Sequence, residues 1–359
     1  MRVGLVLGAG GVMGGAWITG ALYALATATG WDPATADYIV GTSAGSMMGA
    51  LLASGVPPWF MIAHSGGESF DGLVDAAGRP AESADRSGGA RYTLHRAWPR
   101  MLLGSPELAR RLLVNPRSLP PIGSLVALGP RGFISTEPLK DVIRRVVPTG
   151  WAPHPNYWAV AADYASLKRV AFGSPGAPRA DLADAVAASC AVPGFYHPVT
   201  IAGRQYLDGG VHSVSNLDVL QEEKLDLVIC LNPMSSRHRP HGLKPAARVG
   251  ALIRSGAGRR LAAEARTLRE RGTEVVLVQP TVPDLKIMGN NYMSGRRRNE
   301  VIEMAVQTVT AQVRQADNWT LLGDLPQGEP DRVRRPEGVP ESKWPELIGI
   351  GAGPKQRSA

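Results

Sequence analysis

The chain opens on two apolar stretches of one design. Residues 3–7 (VGLVL) form a Val- and Leu-rich run that stops at glycines, and residues 14–28 continue almost without a polar side chain. Residues 37–40 and 46–54 repeat the pattern around a second glycine-rich turn. A short apolar run bounded by glycine reads as a buried strand, and a helix apolar on every side must be covered on every side. Farther on, the pattern predicts a helix over 138–147, capped by Ser135 or Thr136, and strands over 157–161 and 169–172. A small-residue helix over 180–189 and a short strand over 205–207 come next. Buried strands over 227–231 and 274–278 bracket a helical region at 246–271, and a last helix covers about 297–315. Apolar strands alternating with helices predict a three-layer α/β/α fold with a mainly parallel central sheet.

Two segments break the pattern. Residues 64–92 are rich in Gly, Ser, Ala and Asp, and 95–114 read as broken helical pieces with an Arg-rich face, so about 64–130 is expected to form a loop or lid region. Residues 324–359 carry repeated Pro and charge and are expected to be a flexible tail behind one domain at 1–323.

Residues 3–31 and 38–63 contain no charged residue, and either is long enough to span a bilayer. Their glycine density favours buried strand–turn–helix units over a membrane helix or a signal peptide. The 44% apolar content of the 359 residues excludes global disorder. Two cysteines, Cys190 and Cys230, exclude a disulfide scaffold, and the seven histidines form no His-x-x-x-His pair, so neither metal nor cofactor is expected. Cys190 reads as buried packing.

The net charge is +8, and residues 237–271, with ten Arg or Lys and two Glu, carry a charge equal to all of it. Leu261, Ala265 and Leu268 make an apolar stripe at helical spacing there. The plain reading is a helix packed on the sheet with a solvated basic face. The functional reading is peripheral contact with an anionic membrane. Nothing beside the charge suggests a nucleic-acid module. Arg296–Arg298, at the start of the last helix, oppose its dipole.

Gly41-Thr42-Ser43-Ala44-Gly45 follows a predicted strand and opens a predicted helix. That setting suits a nucleophile elbow: the glycines permit a sharp turn that lifts the Ser43 hydroxyl toward a helix N-terminus, where developing negative charge is favoured. The alternative is a tight structural turn. The loop with Gly8, Gly10, Gly11 and Gly14 sits at the first strand-to-helix turn. It fits a dinucleotide site poorly, because the second strand ends in Gly-Thr-Ser and not in a ribose-reading residue. It fits an oxyanion hole built from the Gly10 and Gly11 amides better. No histidine follows His241, so a conventional late histidine is missing, and Asp208 is the better base candidate. Asp208 closes a short strand and is followed by Gly209 and Gly210, although Asp-Gly-Gly by itself commonly marks only a turn.

The ordered set GAGGVMG (8–14), GTSAG (41–45) and DGG (208–210) resembles the patatin-like phospholipase family. RGFISTEPLKDVI (131–143) and ASCAVPGFYHPV (188–199) agree with it. The resemblance implies a cytoplasmic or peripheral-membrane serine acyl hydrolase with a Ser43–Asp208 dyad, acting on a phospholipid or a neutral lipid ester. Met13 stands where many members carry Arg or Lys, which weakens phosphate recognition at that position and keeps acylglycerols in view. An acyltransferase of the malonyl-transferase type and a non-catalytic lipid-binding relative are the alternatives.

Overall fold

Successive residues of a strand face opposite ways, and here each way leads to a core. The structure, a computed structural model, describes residues 1–68, 75, 92–95, 105–114, 131–236 and 245–337. Strand β1 (Val3–Leu7) sends Val3, Leu5 and Leu7 to one core and Val6 to the other. β2 (Tyr38–Thr42), β3 (Tyr157–Asp163) and β7 (Leu227–Leu231) divide in the same way. The larger core lies under α1 (Gly11–Thr29), α2 (Ala44–Ala53), α3 (Pro58–Gly66), α5 (Glu137–Arg144), α6 (Leu182–Ser189), α8 (Val282–Met288), α9 (Arg298–Val313) and α10 (Ala316–Leu322). The smaller one lies under α7 (Pro245–Glu270), whose Leu261, Ala265 and Leu268 are fully buried against the sheet. Fully burying such a side chain contributes roughly 1.5–3 kcal/mol. The apolar stripe read from the sequence is therefore the packed face of a helix.

The remaining strands are β4 (Arg169–Phe172), β5 (Val199–Ile201), β6 (Arg204–Asp208) and β8 (Glu274–Val278). The eight strands pair in the order β5–β6–β3–β2–β1–β7–β8, with β4 also on β3. Pairing is parallel from β3 through β2, β1 and β7 to β8, whereas β4 and β6 run antiparallel to β3, and β5 antiparallel to β6. The sheet is thus mixed, a parallel body with an antiparallel margin.

That margin positions the site. β2 pairs with residues 157–160 of β3, and β4 pairs with residues 159–162, so β2 and β4 occupy opposite edges of β3. β6 pairs with residues 161–163 and cannot share the edge held by β4. It must continue the edge that β2 vacates. Thr42 lies opposite Val160 and Asp208 opposite Ala161, so the two strands meet tip to tip.

α1 is long and apolar enough to cross a membrane, but 72% of its apolar window is buried inside the protein. It is a core helix, as its glycine content suggested. Of the expected loop and lid region, residues 69–74, 76–91, 96–104 and 115–130 lie outside the described residues. Within it, α4 (Pro106–Val114) buries Leu108 against Ala162, Tyr164 and Leu207.

The expected tail needs correction over 324–337. Leu325 and Val333 are buried, Gln327 Nε2 donates to the Thr29 carbonyl at 2.9 Å, and Arg332 pairs with buried Asp32 at 3.0 Å. Pro330 opens a one-turn helix, α11 (Pro330–Val333). The prolines and charges there serve packing against the end of α1, and residues 338–359 lie outside the described residues. Two of the three arginines at the start of α9 find partners. Arg297 pairs with Glu300 at 2.6 Å, and Arg298 Nη2 donates to the Ser65 carbonyl at the end of α3. A cation at a helix C-terminus is favourable, which offsets its position at the start of its own helix.

Candidate active site

Ser43 is the residue between β2 and α2, and its backbone is bent hard (φ 54, ψ −122). A non-glycine residue in this region stores strain of about 1–3 kcal/mol, held only because the surroundings dictate it. Its N–H donates to Ser189 Oγ at 2.9 Å, and Ser189 in turn donates to the Val160 carbonyl at 2.6 Å. Its carbonyl accepts the Ser46 N–H at 2.8 Å and the Ser46 hydroxyl at 2.7 Å. The turn closes only with glycine at its ends. A Cβ on Gly45 would overlap the Leu7 carbonyl, and one on Gly41 would overlap the Gly45 carbonyl and Ser46.

Asp208 ends β6 and is 5% exposed. Burial pushes its carboxyl up to about 6, while hydrogen bonds from the Ser43 side chain and the Gly210 amide hold it down. The Gly210 N–H reaches Asp208 Oδ1 at 2.7 Å. Gly209 lies flat on the Val160 carbonyl, and Gly210 faces Ala9 of the glycine loop. The Ser43 side chain is thus among the groups that act on a carboxyl 165 positions away in sequence.

The glycine loop meets the cavity that holds Ser43. Gly11 takes a left-handed φ of 60° and opens α1, with no room for a side chain beneath Tyr292 and Met293. The Met13 N–H donates to the Tyr292 carbonyl at 3.0 Å, which pins the first turn. The amides of Gly10, Gly11 and Val12 find no acceptor among the described residues. Gly11 and Val12 line the cavity, whereas Gly10 and Gly14 pack on Pro233 and Gly8 on Asn232. Met13 is 2% exposed and belongs to the core.

The cavity that holds Ser43 measures about 230 Å³. Met47, Met48, Leu51, Phe60, Met61 and Tyr196 make much of its wall. Buried Asp75, with His64 and Arg145, adds a few charged or polar groups that the sequence did not single out, and Arg298 joins them. Cys190 also lines it, and burial pushes its thiol up to about 12, which keeps it unreactive. Among the described residues no cluster of His, Cys, Asp or Glu could hold a metal ion. His64 packs on Phe60. The half-buried His212 faces Arg169, Arg260, Asp218 and Glu264. Neither histidine is among the groups that shift Asp208.

A mixed eight-stranded sheet between layers of helices is consistent with the three-layer α/β/α fold of the patatin-like phospholipases. The model of that family matches residues 5–220, and the chain belongs to it. Its members act on lipid substrates and are typically lipid acyl hydrolases, so membership points to a hydrolase of lipid metabolism. A search of curated proteins gives no match.

Proposed function

We propose that the protein is a serine lipid acyl hydrolase, a phospholipase A, lysophospholipase or acylglycerol esterase, run by a Ser43–Asp208 dyad. The observation that carries this reading is the meeting of β2 and β6 on one edge of β3, which brings together the strand end that leads to Ser43 and the strand end at Asp208; the action of the Ser43 side chain on that buried carboxyl supports it. A base poised near 6 is deprotonated at neutral pH yet basic enough to accept a proton in the transition state. Asp208 takes the Ser43 proton as Oγ attacks the acyl carbonyl. The amides of Gly10, Gly11 and Val12 receive the oxyanion, each worth roughly 2.7–4 kcal/mol in comparable sites. Collapse expels the alcohol, which leaves with the proton from Asp208. Asp208 then activates a water that releases the fatty acid from Ser43. The apolar wall suits an acyl chain, and the burial of Met13 removes it from headgroup contact.

Mass spectrometry of products from mixed phospholipids and acylglycerols tests the reading. Free fatty acid and the matching lyso- or deacylated product are expected from the native chain and not from Ser43→Ala. New esters without free acid would instead mark an acyltransferase, and no product from any lipid would mark a binding relative.

We also propose peripheral contact with an anionic membrane through the basic helix. The exposed Arg259 and Arg266 on α7 support this. Others are spoken for: Arg254 is buried against Tyr292, Arg260 is bound to Glu264 at 3.1 Å, Arg269 donates to the Val275 carbonyl at 2.7 Å, and Arg271 pairs with Glu222 at 2.6 Å. Residues 237–244 lie outside the described residues. Binding to vesicles is expected to rise with anionic lipid content and to fade with salt. Binding indifferent to salt would remove the proposal.

A further inference from the structure

The least expected group near the dyad is an asparagine that touches neither partner. Asn216 is fully buried and left-handed (φ 50, ψ 33), a conformation that Asn tolerates better than most residues. Its Nδ2 donates to Thr42 Oγ1 at 3.1 Å, to the Gly209 carbonyl at 3.3 Å and to the Ser213 carbonyl at 2.5 Å. Thr42 directly precedes Ser43, and Gly209 directly follows Asp208. One side-chain amide therefore ties together the two strand tips that carry the dyad.

The turn that carries Asn216 is itself held from the opposite layer. Glu264 of α7 accepts the Ser215 hydroxyl at 2.6 Å and the Leu217 N–H at 3.0 Å, one residue to either side. Ser213 Oγ accepts the Asn216 N–H at 3.2 Å. An asparagine serving only its own turn would need the Ser213 carbonyl alone. Reaching Thr42 and Gly209 as well spends the donor capacity of the NH2 group on the neighbours of the reacting side chains. Hydrogen-bonded β2–β3 and β3–β6 ladders fix the height of each tip but do not link β2 to β6, and Asn216 supplies that link.

We propose that Asn216 is a positioning residue of the Ser43–Asp208 pair, setting the approach of hydroxyl to carboxylate. This rests on the dyad reading above. Its neutral donor also matters, because an acid at the same place would add a negative charge near Asp208, which Arg169, 3.5 Å from the Asn216 Oδ1 and already paired with Asp218, would only partly offset, and so raise the pKa of the Asp208 carboxyl.

The test compares Asn216→Gly, Asn216→Asp and Thr42→Val with the native chain by kcat, KM, pH profile and melting temperature. Asn216→Gly keeps the left-handed backbone and removes the amide. It is expected to lower kcat about 100-fold, the cost of a small misplacement of reacting groups, with KM near the native value. Asn216→Asp is expected to move the acid limb of the pH profile upward. Thr42→Val cuts a single bond at nearly constant shape and keeps the test decisive should either Asn216 variant fail to fold. It is expected to lower kcat about tenfold, the weight of one ordinary hydrogen bond. If the native chain hydrolyses and depends on Ser43, while the folded variants match it in kcat and pH profile, the positioning role is overturned and the dyad stands. If the native chain shows no Ser43-dependent hydrolysis, both are overturned.

Discussion

Replacing Ser43 with Ala is expected to lower kcat for lipid ester hydrolysis by about 10⁴-fold or more, the scale seen when a serine nucleophile is deleted from a comparable unit. The fold should survive. The elbow is held through the Ser43 main chain, by Ser189 on its N–H and by the first turn of α2 on its carbonyl, and alanine keeps both. The side chain that leaves is the one that acts on the Asp208 carboxyl. Circular dichroism and a melting curve close to the native ones, together with lost turnover, are the expected pair of results. Activity retained within tenfold would mean that another group attacks the ester.

The second large effect separates activity from stability. Asp208→Asn is expected to lower kcat by at least about 10³-fold, because an amide cannot accept the Ser43 proton. The same change is expected to raise stability at alkaline pH. The folded carboxyl is raised from 3.8 to about 6 by burial, so between those values the folded protein holds its proton more tightly than the unfolded chain. Stability is lost as pH rises through that window, and the loss is complete above about 6. The shift corresponds to about 3 kcal/mol. Asparagine carries no such penalty, so the variant should melt several degrees higher than the native chain at pH 8, with the gap closing toward pH 4. In the native enzyme the acid limb of kcat/KM should fall near pH 6. An Asn variant that melts lower at pH 8, or a native profile flat down to pH 4, would contradict a buried carboxylate base.

What the sequence discloses follows the range of the interaction. The repeated units β1–α1 and β2–α2 are legible because strand, glycine turn and helix are contiguous, and the serine elbow is legible for the same reason. The stripe of Leu261, Ala265 and Leu268 announces its buried face by helical spacing. Asp208 is weakly legible: an Asp-Gly-Gly gains meaning only beside the other two blocks. The antiparallel margin is not legible, since short apolar runs such as 205–207 carry no sign of direction, and the edge of β3 that β6 takes is decided by β2 and β4. Asn216 leaves no local signal, as its partners Thr42 and Gly209 lie 174 and 7 positions away. The stretch 324–337 looks loose because its Pro and charge carry no local sign of Asp32, which lies 300 positions from Arg332.

The most direct measurement is the site and rate of covalent capture by a fluorophosphonate, which reacts with an activated serine hydroxyl. Peptide mapping should place a single adduct on Ser43 in the native chain, with the reaction slowed by orders of magnitude in folded Asp208→Asn. An adduct on another residue, or Ser43 labelled equally fast without the carboxylate, would contradict the dyad.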